Sequence, residues 1–232
     1  MNSDMQCIIL AAGRGTRMGA LCDDTPKPML PIEGKPKLAY SIEMLPEEIT
    51  EVILIVGYLK EKIMDFFGDS YKGRKIRYVV HDTIDGTGKV LYSAKDILED
   101  RFLVTMGDDF YQKSDLEKLM HNELGVLALE MKDVSSMAVL EIDALGALEH
   151  ILEAPHTSSS HLVNTGAYML TKDFFHYPLV PKSPGSKEYG LPQTMMQMRD
   201  KKNIFVVRAT DWFPLGDPQA YNKVEQRLQD FL

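Results

Sequence analysis

Four short apolar runs, each followed by a segment with helical spacing, restrict what this chain can fold into more than any other feature. MQCIILA at 5–11, EVILIVG at 51–57, KIRYVV at 75–80 and RFLVTMG at 101–107 read as buried strands. Between them lie helical patterns. Pro36 opens one, with Leu38, Ile42 and Leu45 on a single face; YLKEKIMDFFG forms a second, closed by Gly68; GTGKVLYSAKDIL forms a third, entered through glycines. A parallel strand needs a long crossover back to its neighbour, so this alternation predicts a doubly wound, mostly parallel α/β sheet.

Near residue 124 the rhythm changes. LGVLALEM, SMAVLEID, ALEHILE and VNTGAYML are strands with short connections, and Asp143 to Gly146 is the clearest turn. They predict a small antiparallel lobe over one side of the cleft. A helix around 188–200, a strand at 203–208 and a helix at 217–231 complete the pattern. The expectation is one domain over 1–232, with halves of about 1–123 and 124–232, which suits a length of 232 residues.

Composition removes several classes of function. A net charge of −8 disfavours a nucleic-acid binder, because a phosphate backbone requires a basic face. No apolar run approaches the ~20 residues of a membrane span. Cys7 and Cys22, the two cysteines, have neither metal-ligand spacing nor a disulfide framework. The expected location is the reducing cytoplasm, with no nucleic-acid or membrane partner, and a homo-oligomer is left open. His121, His150, His156, His161 and His176 lack ligand spacing, and Met195, Met196 and Met198 read as packing residues.

Three segments carry chemistry. IILAAGRGTRMG, residues 8–19, follows a buried strand with glycines that let main-chain N–H groups face a phosphate; Arg14 and Arg17 add cations. It is not a dinucleotide fingerprint, since Met18 holds the third glycine position, and no G-K-[ST] follows as in a Walker loop. In TPKPMLPIEGKP, residues 25–36, Pro26, Pro28 and Pro31 stiffen the backbone and present Lys27. In MGDD, residues 106–109, Asp108 and Asp109 follow a strand end, where a hard cation and phosphates would meet carboxylate oxygens.

The first two segments together resemble the signature of the nucleotidyltransferases that make nucleotide sugars. GTGKV at 86–90, MGDD, NTGAY at 164–168, EYGLPQT at 188–194 and PLGDP at 214–218 extend the resemblance over about residues 6 to 225. It implies a Rossmann-like, GT-A-like sheet with an antiparallel acceptor-binding lobe. It also implies Mg²⁺-dependent transfer of a nucleoside monophosphate from UTP, CTP or dTTP to a sugar 1-phosphate, with release of pyrophosphate. Leu10, Ala11, Ala12, Gly13, Arg14, Gly15 and Thr16 would line the nucleotide, and Gly86 and Thr87 would meet base and ribose. His81 stands where relatives carry a glutamine that reads the pyrimidine edge. Arg17 would hold the β- and γ-phosphates, Lys27 would bridge the α-phosphate and the acceptor phosphate, and Asp108 would bind Mg²⁺. Asp217 would be a second metal carboxylate, with Asp211 as its rival. Glu153, Asn164, Thr165 and Gly166 would face the acceptor beside Lys27.

The chain departs from that pattern on the acceptor side. Ala154 stands in Glu153-Ala154-Pro155, where relatives place a lysine on the acceptor phosphate, and Gln193 replaces a common aspartate. Trp212 is followed by Phe213-Pro214, and the acid comes later, at Asp217. A cytidylyltransferase for a non-sugar acceptor such as phosphocholine is therefore an alternative. A silent nucleotide-sensing homologue and a metal-dependent glycosyltransferase are further ones; intact Arg17, Lys27 and Asp108 oppose the former, and TPKP after a glycine-rich loop opposes the latter.

Overall fold

The computed structural model describes residues 5–232. The four apolar runs are strands: β1 (Met5–Ala11), β2 (Ile49–Val56), β3 (Arg74–Val80) and β4 (Arg101–Met106). They pair in parallel in the spatial order β4-β1-β2-β3. Alternate residues of β1 enter opposite cores: Cys7 and Ile9 pack on one face of the sheet and Ile8 on the other, all with 0% exposure. A strand buried on both faces needs a continuous apolar run, which is why the sequence reads as it does.

The crossovers are α1 (Lys37–Glu43), α2 (Lys60–Phe67) and α3 (Thr87–Tyr92). α3 is shorter than its spacing suggests. The Ser93 hydroxyl donates to the Val90 carbonyl at 2.6 Å, a local bond that competes with the helix, and the chain goes on as a 3-10 turn at Lys95–Ile97. After β4 come a three-residue strand, β5 (Asp109–Tyr111), and α4 (Lys113–Met120).

The second half supplies β6 (Gly125–Glu130), β7 (Val139–Ile142), β8 (Leu148–Leu152) and β9 (Leu162–Thr171). Their pairing is antiparallel, as expected, yet they do not make a separate sheet. β9 pairs with β4 through Tyr168–Val104 to Thr171–Arg101, and with β6 along its other edge. All join one ten-stranded sheet. The expected helix at 188–200 is α5 (Leu191–Met195), followed by a 3-10 stretch. β10 (Phe205–Arg208) pairs with β6, and α6 (Pro218–Leu228) packs Val224 and Leu228 beside Phe110.

Several elements escaped the sequence reading, β5 and α4 among them and one further strand. β11 (Trp212–Pro214) pairs antiparallel with β5, from Trp212–Tyr111 to Pro214–Asp109. This ribbon brings a segment more than a hundred residues distant beside Asp108. Among the described residues no helix is long and apolar enough to cross a membrane.

Candidate active site

The chain leaves β1 toward β2 on one side, while β4 lies on the other, so a crevice opens beyond their carboxyl ends. Gly107 closes its floor. Its N–H donates to the Leu10 carbonyl at 2.9 Å, and a Cβ there would stand 2.9 Å from that oxygen and 3.0 Å from the Ala11 Cβ. Only glycine permits this approach, and Asp108 is the next residue.

A cavity of about 250 Å³ occupies the crevice, with Gly13, Gly15, Arg17, Lys27, Asp108 and Gly216 in its wall. Leu10, Ala11 and Thr16 complete the wall on the β1 side. Met18, Cys22 and Leu30 pack together beneath the glycine-rich loop and anchor it. Lys27 is buried between two prolines, and its ammonium pairs with the Asp108 carboxylate. Loop amides, Arg17 and Lys27 thus surround a volume suited to a polyphosphate, with one carboxylate opposite.

That carboxylate set suits Mg²⁺. Among the described residues no three His, Cys, Asp or Glu side chains cluster as a cage. Mg²⁺ keeps several waters and is usually held by one or two carboxylates plus substrate phosphates, so Asp108 facing a phosphate cavity is an adequate protein contribution. Asp217, expected as a second ligand, caps a helix through one carboxylate oxygen. Its Oδ1 accepts from the Ala220 N–H at 2.9 Å, satisfying an open amide in the first turn of α6, while its neighbour Gly216 lines the cavity. Asp211 is committed elsewhere, to Arg227 at 2.5 Å and to the Trp212 N–H.

Through Leu10 and Gly13 this cavity adjoins a second, of about 380 Å³. Ala12, Gly86 and Thr87 stand on one side of it and Glu153, Asn164 and Gly166 on another. Gly86 has φ +94°, and a Cβ there would meet the Tyr189 carbonyl oxygen at 2.3 Å. The Tyr189 N–H donates to the Asp85 carbonyl at 2.7 Å, and the Leu191 N–H donates to the Thr87 hydroxyl at 3.1 Å. These bonds lay the 188–191 segment across the start of α3.

Three residues expected at the site lie outside both cavity walls. His81 is not in the wall; its Nε2 lies 2.7 Å from Asp85 Oδ1 and 3.0 Å from the Thr83 hydroxyl. Asp85 and Thr83 line the pocket in its place. Burial alone would raise the Asp85 pKa, but hydrogen bonds from Thr83 and His81 outweigh it and hold the carboxyl below its ordinary value. Arg14 is exposed and lies over the Tyr58 ring, 5.1 Å from its centroid, outside both cavities. Thr165 points into the core, because side chains alternate along β9; its hydroxyl donates to the Leu127 carbonyl at 2.8 Å.

The remaining polar wall is made of paired side chains. Asn164 donates to the Tyr168 hydroxyl at 2.9 Å, and the Gln193 amide donates to Glu153 at 2.8 Å. Gln193 Oε1 is buried with no hydrogen-bond partner. Lys182 reaches the same wall and provides a cation on a side where Ala154 supplies none. Sequence reasoning missed Thr83, Asp85 and Lys182, which fall outside the matching motifs. It noted Gln193 only as a departure.

Comparison with known proteins agrees with this geometry. The family model described as "Nucleotidyl transferase" matches residues 6–230. The chain is 37% identical over 227 residues to the bifunctional protein GlmU of Methanocaldococcus jannaschii, covering 97% of this chain and 55% of that protein. It thus spans about half the length of that relative. It is 34% identical over 221 residues to the D-glycero-alpha-D-manno-heptose 1-phosphate guanylyltransferase of Campylobacter jejuni, covering 94% of this chain and 97% of that one. A UDP-glucose pyrophosphorylase solved in complex with UDP-glucose superposes with a TM-score of 0.84 at 21% identity, over 97% of this chain and 98% of that one, a likeness of fold. A phosphate-sized cavity at the β1–β4 crevice, with a family match over nearly the whole length, places this chain in the nucleotidyl transferase family.

Proposed function

We propose that this protein transfers a nucleoside monophosphate from an NTP to a sugar 1-phosphate in the cytoplasm and releases pyrophosphate. The observation that carries the reading is the convergence of Arg17, Lys27 and Asp108 on one cavity that opens, past Leu10 and Gly13, into a larger pocket. The acceptor needs no deprotonation, because a phosphate monoester has its second pKa near ~6 and is dianionic at neutral pH. The protein's task is alignment and charge neutralisation. Lys27 exchanges its ion pair with Asp108 for the phosphate oxygens of donor and acceptor, and Arg17 holds the departing pyrophosphate. Mg²⁺ bound by Asp108 and the triphosphate would supply further charge neutralisation at the leaving group. Glu153 and Asn164 accept from or donate to acceptor hydroxyls.

Among the pyrimidine donors UTP, CTP and dTTP, the Asp85 carboxylate favours CTP. An ionised carboxylate only accepts hydrogen bonds; cytosine offers an amino group, whereas uracil and thymine present a carbonyl there. Guanine also offers an amino group, and with the guanylyltransferase relative this supports GTP as the second reading. The test is a matrix of each NTP against phosphorylated sugars, phosphocholine and polyol phosphates, read by pyrophosphate release. Turnover with a sugar 1-phosphate and an amino-bearing base is expected. Release only with phosphocholine, or with no acceptor at all, would overturn the proposal.

A further inference from the structure

Lys37 opens α1 and is fully buried, with 0% exposure. Burying an ammonium costs several kcal/mol unless its N–H groups are all bonded. Here they are. Nζ donates to the Ser41 hydroxyl at 2.8 Å, to the Gly107 carbonyl at 3.3 Å and to the Asp109 carbonyl, and it lies 4.7 Å from the centre of the Phe110 ring. Two of its three bonds therefore grip main-chain oxygens on either side of Asp108. Among the described residues Lys37 forms no ion pair: it takes the main-chain oxygen of Asp109, while the Asp109 carboxylate accepts from the Trp212 indole N–H at 3.1 Å. The Asp108 carbonyl is held as well, accepting from the Leu215 N–H at 3.0 Å. All three carbonyls of the Gly107–Asp109 turn are thus fixed from below, and the Asp108 side chain is the part left facing the cavity.

We infer that Lys37 is a positioning residue, which clamps the Gly107–Asp109 turn so that the Asp108 carboxylate meets the metal–triphosphate complex at a fixed place. The inference rests on the reading of Asp108 as the metal-binding carboxylate. A lysine suits this position because its Nζ can divide its N–H donors between the Ser41 hydroxyl and two carbonyls, and α1 gives it a rigid base.

The test compares wild type, Lys37→Met, Lys37→Met/Asp109→Asn and Asp108→Asn. Each is examined by circular dichroism, by Mn²⁺ binding in the presence of CTP (or GTP, if the NTP matrix selects it) followed by electron paramagnetic resonance, and by steady-state kinetics. Both Lys37 variants should fold and bind Mn²⁺–nucleotide about 10-fold or more weaker, as expected when a residue supporting a metal ligand is lost. kcat should fall comparably, with the acceptor KM within about twofold. The double variant also removes the buried carboxylate whose charge Lys37 offsets. If it folds and recovers wild-type Mn²⁺ affinity and kcat, Lys37 merely balanced the charge of Asp109, and the inference fails. Loss of the fold in both variants would also overturn it, because Lys37 would then be holding the core. Mn²⁺ binding by Asp108→Asn equal to wild type would instead refute the reading of Asp108, a separate failure.

Discussion

The two adjoining cavities are built in opposite ways. The smaller one is formed mostly by residues close together in sequence, from Leu10 to Pro28, joined by Asp108 after the neighbouring strand and by Gly216. The larger draws its polar wall from four separated segments, around 83–87, 153–168, 182 and 188–193; Glu153 bonds Gln193 across two of them, while Asp85 is held by His81 and Asn164 by Tyr168. Main chain and rigid turns hold the first, and side chains holding one another form the second. The division matches two tasks. Phosphoryl chemistry demands fixed charges at a fixed place, whereas choice of base and acceptor is set by hydrogen-bond patterns that can change one pair at a time.

The hardest test of that division is Asp108→Asn. Removal of one electrostatic group from the phosphate cavity typically costs ~10²–10³ in rate, and the loss should be equal for every NTP and acceptor, with thermal stability unchanged. A loss confined to one base would break the distinction between the cavities.

Arg17→Ala and Lys27→Ala sharpen it from within. Each removes a charge-assisted bond, which corresponds to about 10- to 100-fold in kcat/KM. Arg17→Ala should raise the KM for the NTP and lower kcat while leaving the acceptor KM unchanged, and Lys27→Ala should impair both substrates, because its proposed role is to bridge them. Steady-state kinetics with each substrate varied separate the two. Identical defects limited to the acceptor would refute both roles.

A smaller effect is expected across the boundary. Asp85→Asn replaces an acceptor-only group by one that also donates, so the preference for an amino-bearing base should drop by about 10-fold while the sum of activities changes little. His81→Gln should act in the same direction and more weakly, through Asp85. Competition between CTP and UTP measures both. An unchanged ratio in Asp85→Asn would remove Asp85 from base selection.

The smallest effect is assigned to Thr165→Val. Its hydroxyl bonds the Leu127 carbonyl within the core, so the variant should lose about 1 kcal/mol of stability by denaturant titration with kinetics within twofold of wild type. A raised acceptor KM without loss of stability would return Thr165 to the acceptor wall.

The sequence by itself determined the parallel sheet, because strands buried on both faces must be apolar throughout, and it determined the phosphate cavity, because glycines after β1 and prolines around Lys27 fix the local backbone. Asp108 was legible for the same reason, through its place after a strand end. The larger pocket was not. That Asp85 and not His81 lines the larger pocket, that Thr165 turns inward, that Asp217 caps α6, and that Lys37 reaches under Asp108 depend on how distant segments pack. Hydrogen bonds that join residues such as Lys37 and Gly107, or Glu153 and Gln193, leave no periodic trace in a single chain. Only the folded arrangement brings their atoms within 3.5 Å and decides which side chain faces the cavity and which supports the one that does.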